Sequence, residues 1–571
     1  MLDEKKLLHK ENIEQINTFQ EDRVENVYAY AMSQQFQENE KLQKSKFNSK
    51  DSKQMLAVKE AMKQITVKMQ ETIPQNDKEA LRGEFTVLTE AYAGLIRACE
   101  EYLAGHPHPL TIAGKARKRL VNGTLAMAQK EAAGLSGALL QLKPYFRSGE
   151  PLLWGNVLGI IRGVSFDLDD NITVSREGAA TSELKVLRTK DDKTYFYKED
   201  EKLTTPKAAI AEEYKNLKKA EDKDILENIL QLLDYRIERK QDRYGNVDTK
   251  YYHGKIDDLL SIREGEYEPY ILADLKQRDT KSVRSKIEEY IKKLNIPALN
   301  LDMHHKRTWQ LFQEIMPKYW RLRTRLGVSM EAGIGLEQSL SQRNVAASRM
   351  AAVFGMPSLV VATNKATLKQ KGKKSENGIV MSQAKGKSYG DVWEMARQKK
   401  EKIVYTPEAM RQITCLQLFD SICGQIDRHW NNFFVTYKEE NGKMVITGFQ
   451  GIDNDLSFGD LQYSNIRAEN MNRLPAFENE DSFCSMPLLD AKMVETMRVL
   501  KKTDLEYYLG DLLESKYIDA MWNRLENMLK VIDKSLYKSE DHKPYAVLME
   551  DKDWRSDFVK YNFNRMYKGY L

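Results

Sequence analysis

Cysteine is scarce, with four residues in 571: Cys99, Cys415, Cys423 and Cys484. Their spacing fits neither a zinc site nor a C-x-x-C redox pair, and a reducing compartment is the simpler setting. Long apolar runs are missing too. No stretch approaches the length that spans a bilayer, and no apolar core of a Sec-type signal follows Met1-Leu2-Asp3-Glu4-Lys5-Lys6. The expected location is cytoplasmic, or outside the cell by a signal-peptide-independent route. Charge of one sign is also missing. The 89 Lys and Arg nearly cancel the 84 Asp and Glu, leaving +5, so no global field calls for nucleic acid. The basic excess is local, at Lys115-Ala116-Arg117-Lys118-Arg119 and at Lys369-Gln370-Lys371-Gly372-Lys373-Lys374. Both clusters read as solvated surface, with an anionic partner (a nucleotide phosphate or an acidic lipid) as the alternative. Internal repeats are absent.

Apolar residues make up 41% of the chain, enough for real cores in a length that accommodates three or four average domains. Residues 1–80 are rich in Gln, Glu, Lys and Asn and read as a polar helical or disordered leader. Residues 81–145 read as a helical module. Leu88, Tyr92, Leu95, Ile96 and Cys99 follow helical spacing, Gly105-His106-Pro107-His108-Pro109 interrupts it, and a second helix covers 111–142. Within 146–200, strand patterns at 171–174, 184–187 and 194–197, with turns at 176–180 and 190–193, predict three antiparallel strands in a row. Residues 201–336 return to polar helix and read as a helical insertion. Over 337–390 a helix leads to strands at 358–362 and 378–382, with a Lys-rich loop between them. Residues 391–571 open on a long apolar helix at 407–424, in which Cys415 and Cys423 are small core residues, and end in amphipathic helices.

The densest polar constellation follows that apolar helix. The loop Gly424-Gln425-Ile426-Asp427-Arg428-His429-Trp430-Asn431-Asn432 leads into the apolar strand Phe433-Phe434-Val435. A turn at Glu440-Asn441-Gly442 and a strand at 444–447 bring the chain to Gly451-Ile452-Asp453-Asn454-Asp455-Leu456-Ser457-Phe458-Gly459. Phosphoryl transfer needs an acceptor hydroxyl held in line with the γ-phosphate, and Mg2+ ions bridging the phosphates. A kinase site supplies an aspartate for the hydroxyl, an asparagine five residues later for one metal, and a second aspartate beyond a hairpin for the other. Asp427, Asn432 and Asp453 have that order and spacing, and they offer the hard oxygens magnesium prefers. His429 is a further catalytic candidate, with a packing or hydrogen-bonding role as the other reading. Asp455 reads as a turn former, with a second metal ligand as its alternative.

Asp427-Arg428-His429 with Asn432, followed by Ile452-Asp453, resembles the catalytic loop and metal motif of the phosphatidylinositol 3-/4-kinases and related atypical kinases. The Ile452-Asp453-Asn454 start with Phe458-Gly459 resembles the secretory-pathway Golgi kinases. The resemblance covers about 165–200 and 337–535. It implies an α+β fold, a two-lobed kinase-like domain with a small antiparallel sheet lobe and a mainly helical large lobe, decorated by the N-terminal helical module and the insertion. It also implies ATP and Mg2+ as cofactors. A kinase small lobe needs a lysine for the α- and β-phosphates, and Lys198 at the end of Thr194-Tyr195-Phe196-Tyr197 fits. The turn before it would cover the phosphates with Gly178 and Ser182, without a G-x-G-x-x-G pattern. Met381, Gln383 and Ala384 fall where the adenine-binding hinge belongs. The helix that should offer Lys198 a glutamate carries Asn344 instead, so Glu337, Glu212 or Glu213 is the expected replacement.

These readings predict a kinase that phosphorylates a hydroxyl. The segment after Gly459, Asp460-Leu461-Gln462-Tyr463-Ser464-Asn465-Ile466-Arg467, is short and weakly basic, which favours a protein acceptor over an inositol lipid. AMP transfer on the same fold and a non-catalytic pseudokinase scaffold are the alternatives. The helical modules would offer surface to an activating protein partner, an arrangement that suits a bacterial effector.

Overall fold

The computed structural model describes residues 53–68, 71, 78–148, 164–167, 173–178, 183–189, 193–200, 202–241, 247–259, 280–297, 299–369, 375–460, 488–536, 546–567 and 571. Most of the expected leader, Ser182, most of the second basic cluster, the segment after Asp460 and Cys484 lie outside them. The fold is mixed α and β. The described residues divide into two compact units, one comprising those up to Gly178, 183–200 and 341–571, the other those of 202–340.

The first unit begins with three helices, α1 (Lys53–Lys68), α2 (Lys78–Gly105) and α3 (Ile112–Ser148). Met55, Val58, Met62 and Ile65 of α1 are buried, as are Leu88, Tyr92, Leu95 and Cys99 of α2. The end of the expected polar leader is therefore a packed helix. Its apolar residues keep helical spacing despite the surrounding charge.

A six-stranded sheet follows, built from β1 (Val164–Asp167), β2 (Thr173–Gly178), β3 (Glu183–Arg188), β4 (Thr194–Glu199), β7 (Thr363–Lys369) and β8 (Glu376–Ser382), in the order β1-β7-β8-β4-β3-β2. The β2-β3-β4 meander is antiparallel, as the alternation of the sequence predicts. Arg176 and Gly178, expected in a turn, belong to β2. The strand expected at 358–362 is a single tight turn, Pro357–Leu359, and the strand starts only at Thr363. Leu359 to Ala362 are all buried. That apolar run marks passage through the core rather than the face of a strand.

Helix α8 (Ser341–Val353) packs against β7 and β8, and α3 packs against α8. Beyond β8 the chain enters a four-stranded sheet of β9 (Lys387–Ser388), β10 (Lys402–Tyr405), β11 (Phe433–Glu440) and β12 (Lys443–Gly451), in the order β10-β12-β11-β9. Helix α9 (Tyr389–Lys399) links β9 to β10, and α10 (Pro407–Cys423) precedes β11. Thr406 caps α10 by accepting the Ala409 N–H, Pro407 occupies its first turn, and Gly424 ends it at φ +68°. Nearly every residue of α10 from Ala409 onward is buried, which makes it the central helix of this core. Cys415 and Cys423 are buried free thiols, and burial pushes their pKa values well up. Helices α11 (Ala491–Val499), α12 (Lys502–Leu509), α13 (Ser515–Leu536) and α14 (Asp557–Met566), with the short parallel pair β13 (Leu488–Asp490) and β14 (Val547–Met549), complete the core.

The second unit is not purely helical. Besides α4 (Pro206–Glu213), α5 (Ala220–Leu232), α6 (Thr280–Lys293) and α7 (Lys306–Glu331), it contains an antiparallel hairpin, β5 (Tyr235–Gln241) with β6 (Val247–Gly254). Charged residues between Tyr235 and Gln241 mimic polar helix in the sequence. In the structure the segment is a strand of a ribbon whose Tyr235 and Tyr252 rings stack at 4.9 Å. Among the described residues no helix is long and apolar enough to cross a membrane.

Candidate functional site

The β11–β12 hairpin builds the site. Its turn, Asn441-Gly442, has both residues at positive φ (51° and 69°), the conformation that suits the twist of a tight hairpin. The register pairs Phe433 with Gly451. The loop before β11 and the loop after β12 therefore emerge side by side, and the Ile452 N–H donates to the Asn432 carbonyl at 3.0 Å. Asp427, Asn432 and Asp453, separated in sequence by the hairpin, share one end of it.

Asn432 is fixed from within the loop. Its amide nitrogen donates to the Asp427 carbonyl at 2.7 Å and to the Asp427 carboxylate at 3.2 Å. Both partners are acceptors, so the amide orientation is set. Gln425 donates to the Asp453 carbonyl at 3.0 Å and accepts the Asp427 N–H at 3.0 Å, tying the two loops together. His429 lies beside Asp427. Its Nδ1 accepts the Asn431 N–H at 3.2 Å, and its Nε2 stands 4.0 Å from Asp427, beyond a hydrogen bond.

Three buried arginines hold the loops. The Arg428 guanidinium grips Asp420 of α10 with two bonds, at 2.8 and 2.9 Å. It also donates to the Asn432 and Ile452 carbonyls at 2.7 and 2.6 Å and to the Asn454 side chain at 2.6 Å. Gly451 has no side chain because a Cβ there would lie 3.1 Å from that guanidinium. Arg343 of α8 donates to the Ser457 and Phe458 carbonyls at 2.8 and 2.6 Å. Arg524 of α13 donates to the Ile422 and Gly459 carbonyls, both at 2.9 Å. Burial lowers Arg343 and Arg524 to about 10. Asp453 (φ 50°) and Phe458 (φ 59°) stand in the left-handed region. Strain at non-glycine residues persists where surroundings over-determine the backbone, and it gathers at functional loops.

Lys198 meets this site from β4. It is 7% exposed and pairs with Ile379 of β8, on the sheet face it shares with Phe196 and Met381. Its ammonium donates to Asp455 at 2.7 Å and lies 3.8 Å from the Asp453 carboxylate. Asp455 is thus the lysine's carboxylate partner, and it also stands in a turn, as expected, where the Ser457 N–H donates to the Asn454 carbonyl at 3.2 Å. Of the residues expected to serve, Glu212 pairs with Lys215 and Glu213 with Lys318, while Glu337 sits at φ 65° with its N–H on the Leu203 carbonyl. Asn344, found where a glutamate was expected, accepts the Asn454 N–H at 2.7 Å and so supports the loop after β12 directly. Just after Lys198, Asp200 accepts from Ser341 at 2.6 Å and from Gln342 at 2.7 Å, anchoring the end of β4 to the start of α8.

Negative charge gathers at this opening. Asp453 is held above the usual carboxylate range, first by the Asp455 charge and then by burial, with Lys198 pulling the other way. Its side chain still keeps 45% exposure. A divalent ion at this opening would relieve the repulsion, and two aspartates with an asparagine amide form an oxygen set suited to Mg2+. Among the described residues, no three His, Cys, Asp or Glu side chains form a ready-made metal cage.

Neither a protein-family model nor a curated protein matches the chain.

Of the other expected site residues, Gly178 ends β2 opposite Glu183, and Ser182 lies outside the described residues. Met381 pairs with Phe196 and Thr363 in the sheet. Gln383 and Ala384 lie on the connection between β8 and β9, which joins the six-stranded sheet to the four-stranded one. There Lys385 N–H bonds Gln450 at 3.2 Å, and Gly386 (φ +87°) leaves no room for a side chain, since a Cβ would sit 1.9 Å from the Val435 carbonyl oxygen. Arg343 and Asp420 were not legible as site residues, and Asp455 was legible only as a turn former or a second metal ligand, not as the partner of Lys198. The partners of Arg343 and Asp455 are distant in sequence, whereas Asp420 meets the nearby Arg428; a buried Arg or Asp carries no periodic pattern of its own.

Proposed function

We propose that the chain is an ATP- and Mg2+-dependent kinase that transfers phosphate to a hydroxyl group, on a protein acceptor. The observation that carries this reading is the convergence of Asp427, Asn432 and Asp453 at one hairpin end, with Lys198 reaching Asp453 and Asp455 from a separate sheet. In this reading the six-stranded sheet belongs to the small lobe of a two-lobed kinase-like domain. The four-stranded sheet and the helices around α10 form the large lobe, and residues 383–386 are the hinge.

Asn432 and Asp453 would hold Mg2+, which supplies charge neutralisation on the phosphates when bound. Lys198 pairs with phosphate oxygens, and Asp455 keeps its ammonium aimed at the cleft. Asp427 orients the acceptor hydroxyl and takes its proton as the acceptor oxygen bonds the γ-phosphorus. The bond from that phosphorus to the β–γ bridging oxygen breaks, and ADP leaves with the electron pair. The family likeness of the loop and metal motif supports the same reading.

The test is ATP turnover by the purified full chain with Mg2+. Asp453→Ala is expected to abolish ADP formation, whereas equal rates in wild type and variant would leave only the scaffold reading. The mass added to the modified product separates phosphate transfer from AMP transfer. A second prediction concerns Asp455. Asp455→Asn removes a charge-assisted bond, so KM for Mg-ATP is expected to rise about tenfold with a smaller change in kcat. Steady-state kinetics at varied ATP checks it, and an unchanged KM would show that Lys198 needs no help from Asp455.

A further inference from the structure

The turn between α2 and α3 holds two aliphatic side chains in full solvent. Leu110 is 95% exposed and Ile112 is 89% exposed, more than any other large apolar residue among the described ones. A single exposed leucine is ordinary. Two such residues at the tip of a helical hairpin form a deliberate projection, and the turn that carries them is firmly built. The His106 ring stacks on Tyr102 at 4.4 Å, and its Nδ1 lies 2.9 Å from the Tyr102 carbonyl oxygen. Lys118 donates to the Pro107 carbonyl at 2.5 Å. Thr111 Oγ1 accepts the Gly114 N–H at 3.0 Å, and a Cβ at Gly114 would meet the Pro109 Cβ at 2.8 Å. Pro107 and Pro109 fix two further backbone angles.

Basic charge stands immediately beside the apolar tip. Ile112, Lys115 and Arg119 fall at i, i+3 and i+7 on α3, one stripe of the helix, and all three are exposed. A rigid pair of aliphatic groups with cations on the adjacent turns matches the boundary between acyl chains and anionic headgroups. A nucleic-acid backbone would use the cations and leave Leu110 and Ile112 in water.

We propose that this turn docks the chain on an anionic lipid bilayer. Leu110 and Ile112 enter the headgroup–acyl boundary, and Lys115 and Arg119 meet the lipid phosphates. The proposal is independent of the phosphotransfer reading.

The test is co-sedimentation of the full chain with vesicles of phosphatidylserine in phosphatidylcholine, and with phosphatidylcholine alone. Binding is expected only with phosphatidylserine present, and it should weaken as salt is raised. Leu110→Ser with Ile112→Ser is expected to weaken it about tenfold or more, and Lys115→Glu with Arg119→Glu by a similar factor. Both double variants should keep the wild-type thermal midpoint, because the altered side chains contact solvent. Emission of a Leu110→Trp variant, compared with wild type, should shift to the blue on adding phosphatidylserine vesicles. Absence of phosphatidylserine-dependent binding by the wild type would overturn the proposal, as would a Leu110→Ser/Ile112→Ser chain that binds as well as wild type. Binding to an acidic protein without binding to vesicles would overturn it in favour of a protein partner.

Discussion

Asp427→Asn is expected to lower turnover by about two to four orders of magnitude while leaving Mg-ATP affinity close to wild type. The side chain is placed for this split. It is 35% exposed, so exchanging oxygen for nitrogen buries nothing new. The stronger of its two bonds with Asn432 goes to the backbone carbonyl at 2.7 Å and survives the substitution; only the 3.2 Å bond to the carboxylate is altered. Asn432, Asp453 and Lys198 remain in place, and they are the groups proposed to hold metal and phosphate. What disappears is an anion able to orient and deprotonate a hydroxyl. Nucleotide titration beside steady-state ATP turnover separates the two effects, and parallel loss of affinity and rate would mean that Asp427 acts in binding. His429→Ala serves as the contrast. Its ring makes no hydrogen bond to Asp427, so turnover should fall by less than about tenfold.

The parts of this site that were legible in the sequence are those written in local code. Thr406-Pro407 opens α10, Gly424 closes it and Asn441-Gly442 turns the hairpin. Once those elements are set, the pairing of Phe433 with Gly451 brings Asp427, Asn432 and Asp453 together almost unavoidably. The lysine strand was legible for the same reason, since Tyr195 and Tyr197 alternate with polar or partly exposed residues. The remaining features depend on contacts that no window of sequence contains. The partner of Lys198 is 257 residues away, and it lies on the loop after β12 rather than on a helix. Asn344 looked like a lost glutamate because its bond to Asn454 crosses 110 residues. The β5–β6 hairpin was hidden by charged residues that occur equally in helix and ribbon. The burial of 359–362 hid the late start of β7, since a fully buried run has no period to read.

Arg428→Met is expected to be the most destabilising single change in the site, costing about 3–5 kcal/mol. The guanidinium is 2% exposed and Asp420 is 6% exposed. Removing the cation strands a buried carboxylate and frees the Asn432 and Ile452 carbonyls as well. Asp420 is already held above its ordinary value by burial, with Arg428 the opposing influence; without Arg428 it rises further. The sign of the pH dependence follows. A carboxyl whose folded pKa exceeds its unfolded one binds its proton more tightly in the native state, so the variant's deficit is full at alkaline pH and shrinks as pH falls through the raised value. Denaturation of the first unit at about pH 8 and about pH 5 should therefore give a larger difference from wild type at the higher pH. Asp420→Asn in the same chain should recover part of the loss, because it removes the stranded charge. A deficit that does not change with pH, together with no rescue by Asp420→Asn, would mean that the lost carbonyl bonds matter more than the ion pair. In either case the loops that carry Asp427 and Asp453 are pinned by the same side chain, so activity in the variant should fall even at temperatures where it remains folded.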